Sequence, residues 1–355
     1  MTRRALERSV LDALQRPPCG VSFSGGKDSS ALLALALAVA RREGLDEPVP
    51  LTLVPRYPEG QEEEWQRLVL ADLGVSEQVT VHVDDELEAL GQISTRFLKR
   101  HGLRYPWNTH FHQPLLAHVA GGSVITGSGG DELFDPFHWS RLTELRRHPT
   151  RVRPRDWQHL AGAALPTPLR ARILARRWFP AMAWLTPAGA RSARTRVGMW
   201  LGSAPRSPRS YLSSWWWRSR YLQRGIHSLE LLGSDEDVLV IAPFAEADVV
   251  AGFANERESY SLSSREDAMC QLFGDLLPAE VLRRRSKADF SRLNSGPRTA
   301  EFVQGWEPKS VDPALVEPGA LRDVWTDDVF LDLRSIGLLK QEWLAHNRDG
   351  RAQVA

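Results

Sequence analysis

The sequence predicts an α/β protein built on a parallel sheet with helices on both faces. Three observations carry this. Over the first 140 residues, short apolar runs alternate with helical patterns, as crossover units require. The stretch Ala31 to Arg42 is apolar nearly all round, as a helix covered on most sides would be. Two glycine-rich segments each follow a strand pattern directly, at the strand ends where ligands of such sheets bind.

The elements read in order as follows. Gly20 to Ser24 is a short buried strand, and Ala31 to Arg42 the covered helix. Pro50 to Val54 is a second strand. Gln61 to Leu73 is a helix whose acidic first turn suits the helix dipole. Val79 to Val83 is a third strand. Leu87 to His101 and His112 to Ala120 read as helices, and Ser123 to Thr126 as a fourth strand. From Leu229 the pattern is again helical, up to a stop at Pro243. A helix is expected near Phe330 to Leu344 in an acidic tail. The chain thus divides into a core of alternating strands and helices over 1–140, an insert over 141–225, a helical segment over 226–295 and a C-terminal tail over 296–355.

At 355 residues and 42% apolar composition, the chain is ample for a sizeable core. Lys and Arg total 45 against 44 Asp and Glu, so net charge points to no class of partner. Cys19 and Cys270 are far apart and lack CxxC spacing, which excludes a sequence-visible zinc site or thiol relay and fits a reducing compartment. No apolar run is long enough to span a membrane, and the charged N-terminus has no signal-peptide core. The expectation is a cytoplasmic protein.

Charge distribution says more than charge balance. Between Arg141 and Arg224 lie 18 arginines, no lysine and two acids, Glu144 and Asp156. Trp157, Trp178, Trp184, Trp200 and the run Trp215, Trp216, Trp217 share this stretch. Such a region suits an acidic peptide, a nucleic acid backbone or an acidic partner protein. It equally suits a solvated helical surface balanced by the acidic remainder of the chain.

The first glycine-rich segment is Ser24-Gly25-Gly26-Lys27-Asp28-Ser29-Ser30, between a strand and the covered helix. Two glycines let backbone turn tightly and approach a ligand closely. The helix N-terminus then offers N–H groups and positive dipole to phosphate, and Ser29 or Ser30 can cap it. The Walker A pattern fails here twice: Val21 stands five before Gly26 where a glycine is required, and Asp28 follows Lys27. An aspartate at this place repels phosphate unless a divalent cation bridges them, and magnesium takes one or two carboxylates with phosphate oxygens and water. The second segment is Thr126-Gly127-Ser128-Gly129-Gly130-Asp131-Glu132-Leu133-Phe134. Asp131 would face the first loop across adjacent strand ends, so that Asp28 and Asp131 share one magnesium on a bound triphosphate.

The first segment resembles the SGGxDS pyrophosphate loop of the adenine-nucleotide alpha-hydrolases, whose members cut ATP between the alpha and beta phosphates. The second resembles the G-x-G-[AGS]-D-E-[LV]-F loop of the asparagine synthetase, beta-lactam synthetase and lasso-peptide cyclase family. Weaker similarity continues at Ile241-Ala242-Pro243-Phe244-Ala245 and at Leu277 to Phe290. The resemblance covers roughly residues 15 to 140 and 225 to 295. It implies ATP and Mg2+ as cofactors. Ser24, Gly25, Gly26, Lys27, Asp28, Ser29, Gly127, Gly129 and Gly130 would hold the nucleotide, and Lys287 would stabilise developing charge and pyrophosphate. It also implies adenylation of a carboxylate followed by amine attack.

Two departures shape the functional expectation. The first loop is reached within 24 residues of Met1-Thr2, so the glutaminase domain of asparagine synthetase is expected to be absent. Ser128 stands where asparagine synthetase has Glu and beta-lactam synthetase has Tyr. A serine hydroxyl is a poor general base unless activated, which leaves His110, His112, Glu132 and Glu246 open for that role. The narrowest expectation is macrolactam formation on a ribosomal peptide, with a precursor-binding or protease partner protein and no nucleic acid. An amide synthetase acting on a small acid, and a nucleotide-binding scaffold without catalysis, are the alternatives.

Overall fold

The computed structural model describes residues 1–60, 62–134, 161, 165–178, 182–205, 208–212, 220–256, 265–284, 288–326 and 334–352. It divides into two units, each discontinuous in sequence: 1–83, 112–160 and 205–288 in one, and 84–111, 161–204 and 289–355 in the other. No helix among the described residues is long and apolar enough to cross a membrane.

The first unit carries a five-stranded sheet. Its strands are β1 (Cys19–Ser22), β2 (Val49–Pro55), β3 (Val79–Val83), β4 (Ser123–Ile125) and β5 (Leu239–Ile241), in the order β3-β2-β1-β4-β5. Every pairing is parallel. This is the parallel α/β sheet expected for an adenine-nucleotide alpha-hydrolase. The chain winds outward from β1 to β3, then returns to pair β4 on the other side of β1. The order therefore reverses between β1 and β4, which makes their carboxyl ends the switch point where such sheets bind ligands. Both glycine-rich loops leave from those two ends.

Parallel strands must be covered by their crossover helices. The helix Lys27–Glu43 does this with Leu32, Leu33, Leu35 and Leu37 essentially inaccessible. Each such side chain contributes about 1.5–3 kcal/mol through burial. The helix ends at Gly44, whose left-handed φ of 67° closes the last turn. Close packing also explains Gly20 in β1, where a Cβ would lie 2.5 Å from Leu51 Cδ1 on β2. The N-terminal helix Thr2–Leu14 packs beside Lys27–Glu43 and Ala247–Glu256.

Several boundaries differ from the sequence reading. The run Leu87 to His101 is not one helix. A 3-10 turn spans Asp85–Leu87, and the helix begins at Gln92 after Gly91. His112 to Ala120 breaks into the short helix Gln113–Leu116 between two 3-10 turns. The region after Leu229 is not helical throughout, because Leu239–Ile241 forms β5 on the sheet edge. The C-terminal helix spans Ile336–Ala352, and residues 330–333 of the expected helix lie outside the described residues.

The second unit is built around Trp184, Trp306 and Trp325 with Val303, Leu321, Ile336 and Leu339. Glu342 and Lys340 are among the charged groups buried inside it. Glu342 accepts from Trp306 Nε1 at 2.8 Å and from the backbone N–H groups of Lys309, Ser310 and Val311 at 2.8, 2.6 and 2.8 Å. Burial opposes its charge, but these donors outweigh burial and hold its pKa below the usual carboxylate range. Lys340 Nζ donates to Trp107 O at 2.6 Å and lies 3.3 Å from His110 Nδ1. Burial lowers its pKa to about 7.

Lys340 makes stability depend on pH with a definite sign. Below pH 7 the lysine is charged folded and unfolded, so the full burial penalty applies. Between pH 7 and its ordinary value of 10.5 the unfolded chain binds the extra proton, so stability rises with pH. The slope contributed is at most ~1.4 kcal/mol per pH unit. Lys340→Met is expected to flatten this rise, measured as urea midpoints of both proteins across pH 7 to 9.5. Parallel curves for the two proteins would show that Lys340 does not titrate there.

Candidate active site

The first loop begins where β1 ends. Phe23 N donates to Leu51 O at 2.8 Å, and the chain then turns at Gly25, with φ of 78°. A Cβ at Gly25 would fall 2.9 Å from Gln66 Cγ, so backbone conformation and space both require glycine. Gly26 is the N-cap of the following helix and no side chain caps it. Ser29, expected as a possible cap, instead donates to Gly26 O at 3.0 Å and accepts from Ser24 N at 3.3 Å. Ser24 and Ser29 hydroxyls lie 3.2 Å apart. The two serines thus fix the loop internally and leave Lys27 and Asp28 in the first helical turn.

Arg284 braces this loop from the other side. Its Nη1 donates to Gly25 O at 2.8 Å, and its guanidinium lies 4.7 Å over the Trp65 ring and pairs with Glu62. The side chain is only 3% exposed. A buried arginine that satisfies a carboxylate, a carbonyl and an aromatic face is fixed in place. Arg284 stands three residues before Lys287, which lies outside the described residues.

The second loop begins where β4 ends, and Thr126 N donates to Ile241 O of β5 at 2.9 Å. Ser128 and Thr126 hydroxyls share a hydrogen bond of 3.0 Å. Gly129 has φ of 91°, and a Cβ there would lie 2.9 Å from Ala245 Cβ. Gly130 opens the short helix Gly130–Phe134, and a Cβ on it would lie 2.8 Å from both Asp28 Cγ and Oδ2. The second loop therefore packs directly on the aspartate of the first.

The sequence reading missed the residue that ties the loops together. Arg265 Nη1 donates to Asp131 Oδ1 at 2.6 Å, and Nη2 pairs with Asp28 Oδ2. Burial works against the charge of Arg265, but Asp28 and then Asp131 outweigh it and raise its pKa. Beside it, Lys27 Nζ lies 3.7 Å from Glu266 Oε1. A signal existed: two acidic residues on the facing loops need a counter-charge, and Arg265 opens a helix with an apolar face. Choosing it among so many arginines required the fold.

Asp28 and Asp131 pair with the two Nη atoms of one guanidinium, which brings both carboxylates to the same group. Among the described residues no group of three or more His, Cys, Asp or Glu is placed to hold a metal. Two carboxylates suit magnesium that completes its shell with phosphate and water, and do not suit a protein cage. The residues present therefore fit a magnesium ion arriving with a triphosphate.

Of the residues left open as general base, Glu132 lies in the short helix Gly130–Phe134, and the others have surroundings of their own. His112 lines a small cavity with Ser22, Val124, Thr126 and Val240, and burial lowers its pKa to about 4. His110 belongs to the second unit, where Nε2 bonds Leu87 O at 3.0 Å and Nδ1 faces Lys340. Burial raises the pKa of Glu246, and Ser9 donates to it at 2.5 Å. Among models of known families, asparagine synthase matches residues 1–329. No curated protein matches the chain.

Proposed function

We propose that this chain, which belongs to the asparagine synthase family, joins a carboxylate to an amine at the expense of ATP, releasing AMP and pyrophosphate. The observation that carries this reading is the convergence of Asp28 and Asp131 on a single cation at the switch point of the sheet. Two glycine-turned loops meet there.

Magnesium, held by Asp28 and Asp131, would neutralise charge on the triphosphate. The N-terminus of the helix Lys27–Glu43 offers its positive dipole end to phosphate, and Lys27 adds a positive side chain. A substrate carboxylate oxygen bonds to the alpha phosphorus, and the bond from that phosphorus to pyrophosphate breaks. An amine nitrogen then attacks the acyl carbon, AMP leaves and the amine gives up a proton. Lys287 takes the charge-stabilising role that the family resemblance implies. Ser128, tethered to Thr126, orients the amine by hydrogen bonding. Rate enhancement comes mainly from positioning and fixed charge.

The substrate we favour is a peptide whose own amine attacks, giving a macrolactam. Support comes from the second unit, whose helices Thr167–Trp178 and Pro187–Gly202 contain no acidic residue. They expose Leu169, Ile173, Met199 and Trp200 along with Arg172, Arg191 and Arg194. Such a surface suits an acidic, partly apolar peptide or the protein that carries it. Substrate-dependent ATP–pyrophosphate exchange tests the reading. Exchange with a peptide bearing a side-chain carboxylate is the expected result. Retained ATP binding without exchange on any peptide or small acid would mark a scaffold instead.

A further inference from the structure

The carboxylates suited to a cation already hold a positive charge. The fork of Arg265 spans Asp28 and Asp131, and its side chain is 15% exposed. A guanidinium and a divalent cation cannot both sit between the same two carboxylates. The helix that carries Arg265, Arg265–Phe273, is well anchored. Ala268, Met269, Leu272 and Phe273 are buried, and Phe273 meets Phe244 edge-on at 6.2 Å between centroids. Glu266 at its first turn faces Lys27. The helix is thus anchored through residues 268–273, and the long side chain of Arg265 reaches from its first position to both carboxylates.

We infer that Arg265 is a place-holding positioning residue for the metal–nucleotide site. It keeps Asp28 and Asp131 converged in the nucleotide-free enzyme, where two bare carboxylates would repel each other. It yields them to the cation that arrives with ATP, and its fork turns to the triphosphate, whose geometry a guanidinium matches. This rests on the magnesium–ATP reading above. The consequence is coupled binding. Metal alone must displace Arg265 and leaves it without a new partner. Metal with ATP displaces it and supplies one. The two ligands therefore bind together better than either does alone.

Manganese is the probe, titrated by electron paramagnetic resonance into the full chain with and without ATP. The proteins compared are wild type, Arg265→Gln and Arg265→Lys. Without ATP, Arg265→Gln is expected to bind Mn2+ about tenfold more tightly than wild type, since nothing need be displaced. With ATP, the same variant is expected to bind the complex about tenfold more weakly, because a phosphate contact is gone. Arg265→Lys keeps the charge but not the fork and falls between in both titrations. A residue with a purely structural role would not raise an affinity when removed. Should the glutamine variant fail to fold by circular dichroism, the lysine variant against wild type decides the order. Equal free-metal affinity across the proteins overturns the inference while Mn2+–ATP binding stands. Absence of Mn2+ binding even with ATP removes the nucleotide site itself, and the role of Arg265 with it.

Discussion

Replacing Asp28 by asparagine is expected to lower substrate-dependent ATP–pyrophosphate exchange by roughly a thousandfold, or about 4 kcal/mol of transition-state stabilisation. Asparagine has nearly the same shape, so the packing of Gly130 on this side chain survives and the loss is one of charge. Asp28 is 19% exposed and Asp131 is 53% exposed. Charge matters more where water is excluded, so Asp131→Asn is expected to lose less, roughly a hundredfold. Both variants should melt within a few degrees of wild type. The exchange assay with varied magnesium separates the effects, because a lost ligand raises the metal concentration needed for half activity. Wild-type exchange rates in Asp28→Asn would remove this carboxylate from the metal site.

The parts of this site legible in sequence are those set by local chemistry. Gly25 and Gly129 advertise turns that need positive φ, and each follows a run of buried strand residues. Asp28 beside a phosphate-type loop raises the expectation of a bridging cation, on which the proposed function rests. Strand order was not legible in the sequence, because nothing local says that β4 returns to the side of β1. β5 was missed for a related reason. Three residues, Leu239–Ile241, are too few to show a period, and the edge position leaves Leu239 exposed. The helix read over Leu87 to His101 failed because apolar spacing continues across Gly91, whose extended backbone at ψ 175° ends one element before the next begins. Glu88 explains that break. Its carboxylate accepts from Thr299 N at 2.8 Å, a contact more than 200 residues away in sequence. Arg265 and Arg284 belong to the same class of failure. Each is one arginine among many, and only long-range packing distinguishes it.

Gly130→Ala is the second change expected to have a large effect, because it sets two loops against each other without altering charge. The added Cβ would lie 2.8 Å from Asp28 Cγ and Oδ2 and 3.1 Å from Phe244 Cδ2. Phe244 cannot retreat, since it is fully buried and meets Phe134 edge-on at 5.1 Å and Phe273 at 6.2 Å. Asp28 must therefore shift, which disturbs its pairing with Arg265 and, on the proposed reading, the cation site it would share with Asp131. Overpacking of this kind costs about 1–3 kcal/mol of stability, and misplacement of about 1 Å costs roughly a hundredfold in rate. Gly127, in the same loop, supplies the comparison. A Cβ there would lie 3.6 Å from Asp28 Cβ, an ordinary contact. Gly127→Ala should consequently lose less stability than Gly130→Ala, by urea denaturation, and should retain tighter Mn2+–ATP binding. Equal losses at the two positions would mean that the second loop does not lean on Asp28 through Gly130. The convergence of the carboxylates would then rest on Arg265 alone.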